Sequence, residues 1–422
     1  MTTTSTQRAE KVIARCRQLA ACTEVPGEIT RTFLSPPMHD VHNLIRQWMQ
    51  AAGMSVTIDI LGNIRGLYPG FDPNSNRLLI GSHLDTVPNA GAFDGPLGVV
   101  LGIALIEHLY AQQIKLPFPI EIIGFSEEEG VRFSKPFLGS LGVTRGLSAD
   151  HLLLKDANGV SVAEALTAFG IDARGRHTDM LRNILAYLEF HIEQGPVLDS
   201  QSASIAVVDT IIGQSRFELT FTGSANHAGT TPMYLRHDAL AAAAEWIANV
   251  ETYAQSVPNL VATVGKIYAE PNAGNVVPGT VTTSLDVRHA DNNVRTFAQE
   301  ALIQSATSSA SKRGVQLSYN CVTAQDSTPM NPQFIKFLGT AVSRAGYPSR
   351  IMSSGAGHDA MIVAQYCHCP TVMLFLRSPG GISHNPGETV LPQDVEAALA
   401  TGIEFLTVLH ERHISTTKEA HA

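Results

Sequence analysis

Histidines and carboxylates gather at a few points of this 422-residue sequence, each just past an apolar run. The segment "HLDTVPNAGAFDG" brings His83, Asp85 and Asp94 after "RLLIGS"; Glu127, Glu128 and Glu129 follow "FPIEIIGFS"; "LEFHIEQG" carries His191, Glu193 and Gln194; and "SPGGISHNPGE" carries His384 after "TVMLFL". Imidazoles and carboxylates together are the donor set of zinc, manganese, cobalt or nickel. Neighbouring carboxylates such as Glu127 and Glu128 repel each other unless a cation or a shared proton compensates. A dinuclear site removes the conflict, because one carboxylate binds metal while its neighbour moves a proton. Plainer readings stay open: His, Asp, Asn and Gly are ordinary turn residues, Asp94 suits the N-cap of a helix opening near Pro96, and "EEEG" has solvated surface acids as its alternative, which the apolar strand before it disfavours.

The elements that must position these side chains are legible in the periodicity. "SVTIDI", "RLLIGS", a helix over about 97–110 and "FPIEIIGF" have the rhythm of an α/β layer, which resumes with "TVMLFL" and the helix "LPQDVEAALATGIEFLTVLHERH". Between them the order strand "SRFELTFTG", helix "HDALAAAAEWIANVETYA", strand "LVATVGKIYA", strand "TVTTSLDVRH", helix "NVRTFAQEALIQSATSSASKR", strand "VQLSYNCV" is the βαββαβ pattern of ferredoxin-like domains. The expected organisation is therefore a larger α/β domain in two parts, residues 1–213 and 328–422, interrupted by a smaller inserted domain, 214–327. In open α/β sheets ligands collect beyond the carboxyl ends of strands, where the residues above fall.

Composition narrows the partners. A formal charge of −9 and a pI near 6.0 exclude the basic face that nucleic acid or an anionic membrane would require, leaving a small molecule. No run approaches the length of a membrane span, and "MTTTSTQRAEKVIARCRQLA" reads as a capped amphipathic helix, not a secretory signal. Five cysteines, an odd number, suit a reducing cytoplasm. Cys367 and Cys369 flank His368 in "YCHCP", yet that spacing makes a poor zinc clamp, and they read as small thiols at the start of a strand.

In the same order along nearly the whole chain, "GSHLDTV", "FDGPLGV", "SEEEGVRF", "HIEQGPVLD", "SANHAGTTPM", "NVVPG", "SGAGHDA" and "GISHNP" resemble the motifs of the hydantoinase/carbamoylase family of amidases, within the two-metal aminoacylase and carboxypeptidase superfamily. The resemblance implies a mixed-sheet catalytic domain of the zinc-dependent exopeptidase type, with an inserted ferredoxin-like lid that forms a homodimer. It implies two divalent ions, zinc or else manganese, cobalt or nickel: His83, Asp94 and His191 on one, Asp94, Glu128 and His384 on the other. Asp85 would orient His83, and Glu127 would be the general base. Gln194, His227, Asn275, Arg288 and Gly357 would meet the substrate, with His227 also on the oxyanion and the lid residues reaching the partner subunit's site; His358 reads as structural. The implied substrates pair a ureido group with a carboxylate: N-carbamoyl amino acids, 3-ureidopropionate, allantoate or ureidoglycolate. A peptidase or deacylase of the same superfamily shares the metal ligands, and a non-catalytic binding protein on the same scaffold is a remoter alternative.

Overall fold

The computed structural model describes residues 4–171 and 180–420. In chain order the strands are β1 (Ser55–Ile58), β2 (Ile64–Tyr68), β3 (Arg77–His83), β4 (Ile120–Phe125), β5 (Ile184–Ile192), β6 (Ile205–Ile211), β7 (Gly213–Thr222), β8 (Asn226–His227), β9 (Val261–Thr263), β10 (Ile267–Glu270), β11 (Val276–Val277), β12 (Thr280–His289), β13 (Gln316–Gln325), β14 (Thr328–Pro329), β15 (Ile351–Ser354) and β16 (Thr371–Leu376). The chain divides into two compact units, Met1–Asp209 with Met330–Ala422, and Thr210–Pro329.

The first unit is built on a mixed sheet in the order β1-β2-β4-β3-β5-β16-β6, with β15 also on β6. Its centre, β4-β3-β5-β16, is wholly parallel, so four neighbouring carboxyl ends open on one edge. Antiparallel β2 and β6 flank this centre. Strands covered on both faces cannot alternate, which explains the unbroken apolar runs "IEIIGF" and "TVMLFL", buried at every position. The helix Pro96–Ala111 is likewise apolar all round from Pro96 to Ile106 and buried at every position there, as expected of a stretch enclosed on all sides. At the amino terminus Thr4 and Gln7 form the reciprocal cap that opens the helix Ser5–Ala20.

The second unit has its own core, centred on Trp246, Phe221 and Leu285. Its sheet runs β10-β12-β7-β13, with β9 on β12, and every pairing is antiparallel. With the helices Ala239–Ser256 and Asn292–Ser311 this is the βαββαβ arrangement. The expected single strand "LVATVGKIYA" is interrupted: β9 and β10 both lie along β12, and between them Gly265 N–H turns aside to donate to Ser284 Oγ at 3.2 Å. A two-stranded ribbon, β8 with β11, is an addition that periodicity does not reveal, because two residues carry no period. Among the described residues no helix is long and apolar enough to cross a membrane.

Candidate metal centre

Four adjacent parallel strands deliver the chemistry. His83 is the last residue of β3, the three glutamates follow β4, His191 lies near the end of β5, and His384 follows β16. Asp94 comes from the turn that leads into the helix Pro96–Ala111. It does not cap that helix: Gly95 occupies the cap position with no side-chain bond. Glycine is required there, since φ is +84° and a Cβ would stand 2.5 Å from the His83 ring.

The first grouping is His83, Asp94 and His191, all buried. His83 Nδ1 lies 3.0 Å from the Asp85 carbonyl and His191 Nδ1 2.9 Å from the Ile192 carbonyl, so in the neutral rings each Nδ1 carries the proton and each Nε2 presents a lone pair. Those two Nε2 atoms are 3.4 Å apart, and Asp94 Oδ1 lies 3.7 Å from one and 3.3 Å from the other. Asp94 Oδ1 is buried and receives no hydrogen bond among the described residues. Three lone pairs converging in a buried space repel one another unless a cation sits among them. Burial holds His191 down to about 4, so it stays neutral. Burial also opposes charge on His83, but the adjacent Asp85 and Asp94 carboxylates outweigh this and raise it well above the ordinary range, so the acids that face this space favour a positive charge in it.

The second grouping shares Asp94. Its Oδ2 is 3.2 Å from His384 Nε2, which is 3.5 Å from Glu129 Oε1. Bonds to Asp94 and Glu129 push His384 up to about 10, so those acids favour a positive charge at this position. Both groupings fit divalent cations, with Asp94 offering one oxygen to each.

The glutamate expected here was Glu128, but the carboxylate found against Asp94 and His384 is that of Glu129. Glu128 groups instead with His83 and Glu129, and burial raises it well above the ordinary carboxylate range. Glu127, expected as the base, belongs to none of the metal-competent groupings. Its Oε1 accepts from Gly130 N–H, closing its own loop. Asp85 serves two loops at once. It lies beside His83, and its two oxygens accept from the N–H groups of Glu128 and Glu129, each at 3.0 Å. The aspartate thus positions both an imidazole and the glutamate loop.

Two residues that the sequence did not single out, Ser383 and Glu388, complete the site. Ser383 Oγ donates to Asp94 Oδ2 at 2.9 Å, and the buried Glu388 accepts from the N–H groups of Phe93 and Asp94 at 2.8 and 3.1 Å. Gln194 Nε2 donates to Asp94 Oδ2 at 3.0 Å, while its buried Oε1 has no partner among the described residues. His358 packs edge-on against His191, with ring centroids 4.5 Å apart, and Gly357 leaves no space for a Cβ beside Phe137. Neither Cys367 nor Cys369 enters any of these groupings.

His227, Asn275 and Arg288 belong to the second unit. His227 pairs with Val276 across the β8–β11 ribbon, which sets Asn275 beside it. Its Nδ1 accepts from the N–H groups of Gly229 and Thr230 at 3.1 and 3.2 Å, which leaves Nε2 as a donor. Arg288 grips Asp286 through Nε and Nη2 at 2.8 and 3.0 Å, and Arg216 reaches the same carboxylate at 2.7 Å.

The sequence matches peptidase family M20/M25/M40 over residues 79–412. It is 36% identical to allantoate deiminase 2 of Glycine max, covering 94% of this chain and 89% of that protein. It is 34% identical to an N-carbamoyl-L-amino acid amidohydrolase of Geobacillus stearothermophilus, covering 94% and 97%. A solved amidase of the hydantoinase/carbamoylase family from Burkholderia multivorans superposes with a TM-score of 0.89 at 33% identity, covering 94% of this chain and 97% of that one.

Proposed function

Because the chain belongs to peptidase family M20/M25/M40, in its hydantoinase/carbamoylase amidase branch, we propose that it cleaves the carbamoyl C–N bond of a ureido acid, an N-carbamoyl amino acid or a relative such as allantoate. It is a metal-dependent hydrolase of C–N bonds in amides. The observation that carries this reading is the pair of groupings joined through the two oxygens of Asp94. His83, Asp94 and His191 would hold one divalent ion, zinc before manganese, cobalt or nickel, and Asp94, Glu129 and His384 the other. Such ions, when bound, polarise a carbonyl and make water acidic enough to lose a proton near neutral pH.

The remaining chemistry is the protein's. Glu128, buried beside His83 and freed from ligation by Glu129, accepts a proton from water as the water oxygen bonds to the ureido carbon. The bond from that carbon to the substituted nitrogen breaks, and Glu128 returns the proton to the leaving amine. The carbamic acid that remains falls to ammonia and carbon dioxide. Gln194, anchored on Asp94, keeps Oε1 to accept from a ureido N–H. His227, with Nε2 as donor, suits the developing oxyanion, and Asn275 and Arg288 suit the polar and carboxylate ends of the substrate.

A homodimer through the second unit, in a reducing compartment, goes with this reading; it is supported by Tyr319 and Val322 standing 56% and 61% exposed on the edge strand β13, and by five free cysteines. Mass in solution tests the dimer. The activity is tested by measuring ammonia from a panel of ureido acids with protein reloaded with each metal. Amine release from N-acyl or peptide substrates, without ammonia from any ureido acid, would replace the proposal with the peptidase or deacylase alternative.

A further inference from the structure

A cavity of about 640 Å³ lies in the first unit, at the far end of the helix that Asp94 precedes. It is lined by Arg8, Lys11 and Arg15 of the helix Ser5–Ala20, by Glu107, His108 and Tyr110, and by several alanine methyl groups. A helix rises about 1.5 Å per residue, so the lining residues of Pro96–Ala111, from Ala104 to Ala111, stand about 15–25 Å along the helix from Asp94. It is not part of the metal centre.

Three cations here face one carboxylate. Glu107 receives Lys11 at 3.0 Å through both oxygens and Arg15 at 2.7 Å. Arg15 is only 7% exposed, and its guanidinium lies 4.7 Å from the centre of the Trp48 ring, which fixes its plane. Arg8 donates to His108 Nδ1 at 2.8 Å, and its own Nε is buried without a partner among the described residues. Burial and the Arg8 charge hold His108 below its ordinary value, so it adds no positive charge of its own. The helices Pro36–Ala51 and Pro96–Ala111 both end at the cavity, each contributing about half a negative charge. Among the lining groups that leaves a surplus of about one positive charge beside a partly apolar wall.

We propose that this cavity is a binding site for a small anion, a carboxylate or phosphate carrying little more than a short aliphatic part. Lys11 and Arg15 turn part of their donor capacity from Glu107 to the ligand. Trp48 sits on Arg15, which gives the site its own reporter; the other tryptophan, Trp246, is buried in the second unit.

Metal-loaded full-length protein is titrated at constant ionic strength with inorganic phosphate and, separately, with succinate, while tryptophan fluorescence is followed. A saturable change that Trp48→Phe abolishes is expected, and the anion that produces it identifies the ligand class. Lys11→Glu should weaken binding by about tenfold or more, and Glu107→Gln should tighten it, because the competing carboxylate is gone. Turnover without added anion should be unchanged in Lys11→Glu. A cluster serving only to join helices would not gain affinity when Glu107 is neutralised. The proposal is overturned if neither anion gives a saturable change, or if Lys11→Glu and Glu107→Gln bind as the parent does.

Discussion

Glu388 ties two loops of the metal centre together, and its removal offers a quantitative test. One oxygen accepts from Phe93 N–H and Asp94 N–H at 2.8 and 3.1 Å, and the other lies 3.3 Å from Ser383 Oγ. Glu388→Ala strands two buried N–H groups, each worth about 1–3 kcal/mol. Against this, the carboxylate is itself disfavoured: burial, then the nearby Asp94, push it up to about 7. The net loss should be about 2–4 kcal/mol, read from denaturant unfolding of the metal-free protein. Because the loops it joins carry Asp94 and His384, calorimetric titration with zinc or manganese should show affinity for at least one ion falling by about 10–100-fold. Glu388→Gln keeps an acceptor for both N–H groups and should stay within about 1 kcal/mol of the parent. An alanine variant that binds both ions with unchanged affinity and stability would refute the reasoning. So would a glutamine variant as damaged as alanine, since charge would then matter and the acceptor would not.

The register of the glutamates is tested by substitution. Glu128→Gln should lower turnover by about 10²–10⁴-fold with metal content intact, Glu127→Gln should keep most of its rate, and Glu129→Gln should lose metal, as measured by steady-state kinetics and metal analysis. Chelation should abolish activity, and returning the cation at about a hundred times its Kd should restore activity and add about 2.7 kcal/mol per site to stability by thermal unfolding. His42 gives a pH signature away from the metals: burial first, then His39 and Arg46, lower it to about 3. In the unfolded chain it takes up a proton below its ordinary value of 6.5, so its contribution is complete above that pH and is lost as pH falls towards 3. Unfolding free energies of His42→Met should show a shallower decline across that window than the parent, by up to about 1.4 kcal/mol per pH unit; parallel curves would remove His42 as the cause.

Much of the fold was legible because its signals are local. The apolar runs "RLLIGS", "FPIEIIGF" and "TVMLFL" read as strands and lie in the parallel centre of the sheet, and the helix and strand periods of the second unit spell βαββαβ. What escaped depends on single backbone choices. The break between β9 and β10 turns on one N–H of Gly265 finding Ser284, and the β8–β11 ribbon exists through pairing at a distance. Asp94 shows how two readings of one residue are separated: an N-cap and a metal ligand look alike in sequence, and only the absence of a capping bond together with an orphaned oxygen distinguishes them.

The run "EEEG" shows why spacing found the site but not the assignment within it. An extended chain would alternate its side chains, and three glutamates could then be placed in either register. The chain is not extended here. Asp85 collects the N–H groups of Glu128 and Glu129, and Gly130, at φ +72°, returns its N–H to Glu127, so the segment folds over the aspartate. Folding of that kind turns Glu127 back on its own loop and presents Glu128 and Glu129 to the histidines. Under the proposed assignment Asp85 thus sets which glutamate would bind metal and which would move a proton, although it would do neither itself. Had Asp85 been isolated on the surface, the choice would have rested with the strand alone. Its burial at 1% exposure, with both oxygens occupied, makes the register a property of two loops brought together by parallel strands, which no single stretch of sequence contains.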